Sequence, residues 1–203
     1  MSEKEHLQSS DENLAWTPLS VRHLVDNEWI DFREMSYRMP DGSVFTPYYN
    51  YSRRDYVVIV ATDTEGRYLT VRQFRQGVRC VTNEFVAGGI EGTERPDISK
   101  PASPNATPQM ALAAAKRELM EESGYCSEKW THLLTVPSNA TIADNFAYIF
   151  RAEDCKKVSG QSLDDTEFLN VHLRTGGEIE EMIRTGQFQQ AMHVMAYYMA
   201  DKM

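Results

Sequence analysis

Three glutamates carry the strongest chemical signal in the chain. In Arg117-Glu118-Leu119-Met120-Glu121-Glu122 they stand at i, i+3 and i+4, a spacing that on a helix puts all three carboxylates on one face. Like charges so close repel one another unless a cation lies between them. An all-oxygen cluster with neither His nor Cys suits a hard divalent ion such as Mg²⁺ better than zinc. Taken alone, the same face also reads as ordinary solvated helix surface. What gives it further meaning is Glu84-Phe85-Val86-Ala87-Gly88-Gly89-Ile90-Glu91-Gly92, a strand end feeding a glycine-rich loop ahead of the acidic segment.

The elements that must position these groups are partly written in capping and turn residues. Thr107-Pro108 supplies a capping hydroxyl and a proline for a first helical position. Ala111 to Glu122 are strong helix formers, and Gly124 is a good left-handed stop. Ala111, Ala114 and Ala115 lie on the glutamate azimuth and admit close approach by another segment, with Leu112 and Leu119 marking an adjacent apolar stripe. Upstream, Tyr56 to Ala61 and Tyr68 to Phe74 flank Asp63-Thr64-Glu65-Gly66, a hairpin signal, and Val81 to Ala87 reads as one strand ending at Gly88-Gly89. Between Thr93 and Thr107 stand Pro96, Pro101 and Pro104, which forbid a continuous ladder or helix and predict an excursion loop. Trp130 to Val136, Phe146 to Ala152 and Phe168 to Leu173 read as strands. Glu178 to Thr185 and Phe188 to Ala200 read as helices divided by Gly186.

The polar, acidic residues 1–13 are expected to form a disordered tail. Residues 14–52, with a turn signal at Pro40-Asp41-Gly42, are expected to form a small β-rich appendage, and 53–203 the main domain with its insertion loop at 93–107. A net charge of −9 opposes binding to nucleic acid or anionic lipid. Cys80, Cys126 and Cys155 show neither a zinc-ribbon pair nor a secreted disulfide framework. The longest aliphatic run, Val57 to Ala61, is far too short for a membrane span. Together these features predict a soluble, cytoplasmic protein with reduced thiols and no nucleic-acid or membrane partner.

Gly89, followed by Arg117-Glu118-Leu119-Met120-Glu121-Glu122-Ser123-Gly124-Tyr125, resembles the two ends of the Nudix box, G-x5-E-x7-R-E-U-x-E-E-x-G-U, where U is a bulky aliphatic residue and Tyr125 takes the last U. Gly89 and Arg117 are 28 positions apart where the pattern has 14, and the proline-rich loop accounts for the surplus of 14 residues. Glu94 is then the nearest acidic substitute for the box's first glutamate. Val71-Arg72-Gln73-Phe74-Arg75, Glu84 to Gly88, and Asp165 to Leu173 extend the likeness to the ADP-ribose pyrophosphatase branch of the Nudix hydrolases, from about Tyr56 to the C-terminus.

The resemblance implies an α/β fold, a Nudix-like α/β/α sandwich around a mixed sheet, with an N-terminal appendage that takes part in a homodimer. It implies that Glu118, Glu121, Glu122 and the carbonyl of Ala87 hold Mg²⁺, with Mn²⁺ the alternative cation. Glu122, Glu121 and Glu167 would form the catalytic set, while Arg75, Gly88 and Gly89 would meet the substrate. Asp164, Asp165 and Asp144 stand as alternatives to Glu167 for the base. Arg75 also reads as one half of a surface ion pair, and Glu84 as a brace for the loop or a member of the metal network. Arg117, four residues before Glu121, reads as an orienting partner within the helix. The implied reaction is hydrolysis of a nucleoside diphosphate-linked sugar, ADP-ribose first, to AMP and ribose 5-phosphate. A non-catalytic nucleotide sensor is the competing class. The five histidines show no ligand spacing and receive no role.

Overall fold

A buried arginine organises the first part of the chain. In the computed structural model, which describes residues 14–93 and 96–201, strands β1 (Thr17–Asp26), β2 (Asp31–Arg38) and β3 (Val44–Ser52) form an antiparallel sheet in the order β1-β2-β3. The tail expected over residues 1–13 and the substitute Glu94 lie outside the described residues. Arg33 donates to Asn50 at 3.0 Å, to Asp31 at 3.2 Å and to Asp144 at 3.0 Å. Burying its charge is tolerable because every contact is a hydrogen-bonded acceptor. Asp144 also accepts from the Ser52 hydroxyl, and with Asn139–Asp144 it belongs to the compact unit of these three strands. The rings of Trp16, Tyr37, Phe45 and Tyr48 cluster here, while all ten residues of β1 are exposed.

The second unit is built on β4 (Tyr56–Asp63) and β5 (Tyr68–Arg75), joined by the expected turn, in which Asp63 accepts from the backbone N–H groups of Glu65 and Arg67. There follow β6 (Cys80–Glu84), β7 (Val86–Gly89), α1 (Pro108–Ser123), β8 (Tyr125–Cys126), β9 (Lys129–Pro137), β10 (Phe146–Lys157), β11 (Leu169–Arg174), α2 (Gly176–Arg184) and α3 (Ala191–Ala200). The sheet runs β11-β5-β4-β10-β8, with β6 on β5, β7 on β4 and β9 on β10. The β4–β10 pair is parallel and the others are antiparallel, so the sheet is mixed.

Alternation along β4 divides the interior into two cores. Val57, Ile59 and Ala61 pack with Ala111, Ala115 and Leu119 of α1, whereas Val58 and Val60 pack with Ile179 of α2, Phe188, and Ala196 of α3. A strand buried on both faces needs this uninterrupted apolar run, and the result is the expected α/β/α sandwich.

At two boundaries a distant partner overrides the sequence reading. The strand expected over Val81 to Ala87 breaks at Phe85, where the chain changes partner from β5 to β4. The Phe85 N–H leaves the ladder and donates to His193 Nδ1 at 3.0 Å. The last helix starts at Ala191, not Phe188, because Phe188 is drawn into the core by a turn in which its N–H donates to the Met182 carbonyl at 3.0 Å.

Candidate functional site

Helix α1 has well-defined ends, and these set the azimuth of its glutamates. The Thr107 hydroxyl accepts from the Met110 N–H at 3.2 Å, and Gly124, at φ 73°, donates to the Met120 carbonyl at 2.8 Å. A Cβ on Gly124 would overlap the Ser159 carbonyl, so this stop serves the packing as well as the turn. With Ala111, Ala114, Ala115 and Leu119 buried, the same inward side carries Glu118 and Glu122, only 6% and 3% exposed. Glu121 is turned further out and accepts from Arg117 Nη1 at 2.6 Å. Of the three expected carboxylates, two therefore face the interior together.

Their surroundings disfavour ionisation. Burial, opposed by the Arg117 charge and hydrogen bond and reinforced by Glu121 and Glu167, pushes the Glu118 carboxyl up to about 7. Burial, with the neighbouring Glu118 and Glu167, pushes Glu122 up to about 8 against the Ala87 N–H and the Arg75 charge. One carboxylate oxygen of Glu122 is buried without a hydrogen-bond partner. Gly88 makes the convergence possible, since a Cβ there would overlap the Glu118 carboxylate. The corner Ala87-Gly88 thus lies against both acids, the Ala87 N–H on Glu122 and the Gly88 Cα beside Glu118.

This arrangement fits a hard divalent cation. Two adjacent buried carboxylates, an orphaned oxygen and an all-oxygen donor set are what such an ion relieves, and Mg²⁺ needs only one or two carboxylates because it retains waters. Among the described residues no three His, Cys, Asp or Glu side chains form a ready-made cluster. Glu118 instead accepts from Arg117 Nη2 at 2.7 Å, and the same nitrogen donates to the Gly89 carbonyl at 3.2 Å. Arg117 therefore reaches beyond Glu121 and ties the helix to the glycine loop.

Arg75 donates from Nε and Nη2 to the two oxygens of Glu84 at 2.8 and 2.9 Å, a bidentate pair in which Glu84 is fully buried and Arg75 one-third exposed. Its charge also acts on Glu122. Thr82 and Gln190 also donate to Glu84. Glu167 lies within electrostatic reach of Glu118 and Glu122 and accepts from the Asp164 N–H at 3.1 Å. Asp164 and Asp165 are exposed, and Asp144 is engaged by Arg33 and Ser52 in the N-terminal unit.

His193 and Gln190 escaped the sequence reading. His193 is 2% exposed, its Nε2 lies 3.7 Å from Glu84, and burial, with the Arg75 charge assisting, drives it down to about 3, leaving it neutral. Its place in the spacing His193, Ala196, Tyr197, Ala200 was the available signal, a polar residue on the inward stripe of the last helix.

No family model matches the chain. It is 29% identical over 116 residues to the ADP-ribose pyrophosphatase of Bacillus subtilis (strain 168), a match covering 57% of this chain and 55% of that protein. It is 26% identical over 141 residues to the methanol dehydrogenase activator of Bacillus methanolicus, covering 69% and 68%. The match thus spans little more than half the length of the first relative and about two thirds of the second. A solved structure described as an ADP compounds hydrolase superposes with a TM-score of 0.74 at 20% identity, covering 92% of each chain. The chain therefore has the α/β/α fold of that hydrolase structure and is similar in sequence, over little more than half its length, to the ADP-ribose pyrophosphatase.

Proposed function

We propose that the chain is a metal-dependent Nudix pyrophosphohydrolase acting on nucleoside diphosphate-linked sugars, with ADP-ribose and water giving AMP and ribose 5-phosphate. The observation that carries this reading is the buried pair Glu118 and Glu122 against the Ala87-Gly88 corner, with one Glu122 oxygen buried without a hydrogen-bond partner. Glu118 and Glu122 would hold the cation with the Ala87 carbonyl, and Glu121 would assist from the rim. A bound divalent ion would offset the diphosphate charge and lower the pKa of a water.

The remaining roles belong to the chain's own groups. Arg75 engages Glu84 through Nε and Nη2, and its Nη1 remains to meet a phosphate oxygen. Gly89, with open space where a Cβ would stand, would let a diphosphate approach the backbone, and Gly88 would meet it from beside Glu118. Glu167, near the acidic pair, would take the proton of the attacking water. Incubation with Mg²⁺ and a panel of ADP-ribose, other nucleotide sugars and dinucleotides tests the reading. Release of AMP and a sugar phosphate is expected; binding without release would establish the sensor instead.

The same reading includes a homodimer formed through the appendage, supported by the exposed β1 and its uncovered Leu19, Val21, Leu24 and Val25. Light scattering should give twice the chain mass, and a monomer at micromolar concentration would refute this part. Among the described residues no helix is long and apolar enough to cross a membrane.

A further inference from the structure

We infer that Gln190 and His193, both on the last helical segment, are positioning residues that hold the buried Glu84 so that Arg75 presents its outer edge to a substrate phosphate. The inference rests on the assignment of Arg75 to phosphate made above. Glu84 is fully enclosed, and its oxygens are met by Arg75 on one side, Thr82 at 3.1 Å along the strand, and the Gln190 amide from the N-cap of α3. Without the Gln190 donor, a buried carboxylate oxygen would depend on Arg75 alone, and the guanidinium would be drawn inward to satisfy it.

His193 acts on the same corner from one turn further along the helix. Its Nδ1 accepts from the Phe85 N–H at 3.0 Å, so the neutral ring carries its proton on Nε2, which faces Glu84 at 3.7 Å. Its ring also lies parallel to Phe85, at 17°. One side chain therefore fixes the residue at which β6 gives way to β7, two positions before Ala87, and presents a donor edge to the brace. This couples the clamp on one side of the corner to the acidic pair on the other through packed groups.

Three substitutions separate positioning from packing. Gln190→Met keeps length but removes the amide. His193→Asn keeps an acceptor for the Phe85 N–H and loses the Nε2 edge, and His193→Gln does the reverse. Gln190→Met should raise KM for ADP-ribose roughly 10-fold, as loss of one charge-assisted hydrogen bond implies, while kcat stays within about 3-fold. It should add nothing in a Glu84→Gln background, because it acts only through Glu84. In ¹⁵N spectra the Arg75 Nε–H resonance should be sharp in the parent and broadened in Gln190→Met.

An unchanged KM in a parent that turns over, or an unchanged Arg75 resonance, overturns the inference. A parent that hydrolyses no member of the panel overturns the proposed function instead, and the resonance still reports on the clamp. Gln190 is half-buried at a helix start, so the test stands even where a His193 variant fails to fold.

Discussion

Two regions of the second unit bury a glutamate, and they treat it in opposite ways. At the end of β6, Glu84 is enclosed by a bidentate arginine, a hydroxyl and an amide. On the last turns of α1, Glu122 receives one backbone N–H, faces two further carboxylates, and keeps an oxygen with no partner. Burial is nearly the same, and what differs is compensation. A fully compensated carboxylate is a strut, whereas an uncompensated one is held by the fold in readiness for something that is not part of the chain. On the proposed reading it is this contrast, more than exposure, that tells the brace from the cation ligands.

The comparison is broken first at Glu122. Glu122→Gln should lower kcat/KM by about 10³-fold, on the scale seen when a charge-stabilising group is removed from a reacting centre. The melting temperature should hold or rise, because a neutral amide removes a charge the site disfavours. Wild-type turnover would take this helix out of the reaction. At Glu84 the ranking reverses. Glu84→Gln should cost about 3 kcal/mol of stability, the lower end for breaking a buried pair because Arg75 is partly exposed, and a melt should fall by roughly 6–12 °C. A melt within 1 or 2 °C, on the order of 0.5 kcal/mol, would show that Glu84 is no strut.

Gly88→Ala sharpens the contrast from the backbone side. The added methyl overlaps the Glu118 carboxylate, so Mg²⁺ affinity should fall about 10-fold or more, a size typical of displaced support around a metal ligand. Unaltered Mg²⁺ binding would mean that Glu118 is not a ligand.

The acidic pair also sets the pH dependence of the chelated protein. Glu118 and Glu122 have folded values near 7 and 8, above the ordinary 4.5. The folded chain therefore binds more protons than the unfolded chain between those limits. Their stabilising contribution is complete in acid and is lost as pH rises through about 7 to 8. Melts in EDTA should fall steadily from pH 5 to 8, by ~2–4 °C for each kcal/mol lost in a chain of this size. Excess Mg²⁺ should remove most of the slope, and a slope unaffected by Mg²⁺ would contradict the pairing of these acids with a cation.

Much of this architecture is legible in residue order where local chemistry decides the outcome. Thr107-Pro108 and Gly124 bound α1 because caps act within one turn, and Asp63 to Gly66 marks its hairpin because the aspartate closes its own turn. Helical spacing puts Glu118, Glu121 and Glu122 on one face, but the turning of Glu118 and Glu122 inward, with Glu121 left at the rim, needed the packed sheet to be seen. The break at Phe85 was not legible, since an apolar residue continues the strand pattern and only a histidine 108 positions away draws its N–H out of the ladder. The start of α3 was hidden in the same way by the burial of Phe188. Glu84 reads equally as brace or ligand in the sequence, which gives no sign of the Arg75, Thr82 and Gln190 donors around it. What escaped the sequence is in each case a partner supplied by distant chain.

The central claim is that Glu118 and Glu122 are kept close and undercompensated so that a divalent cation can join them. Calorimetric titration of Mg²⁺ at pH 7, repeated in buffers of different ionisation heat, tests it most directly. Saturable binding that releases protons is expected in the parent, with the release reduced in Glu118→Gln and Glu122→Gln. Saturation without proton release, or binding unchanged in both variants, would contradict it.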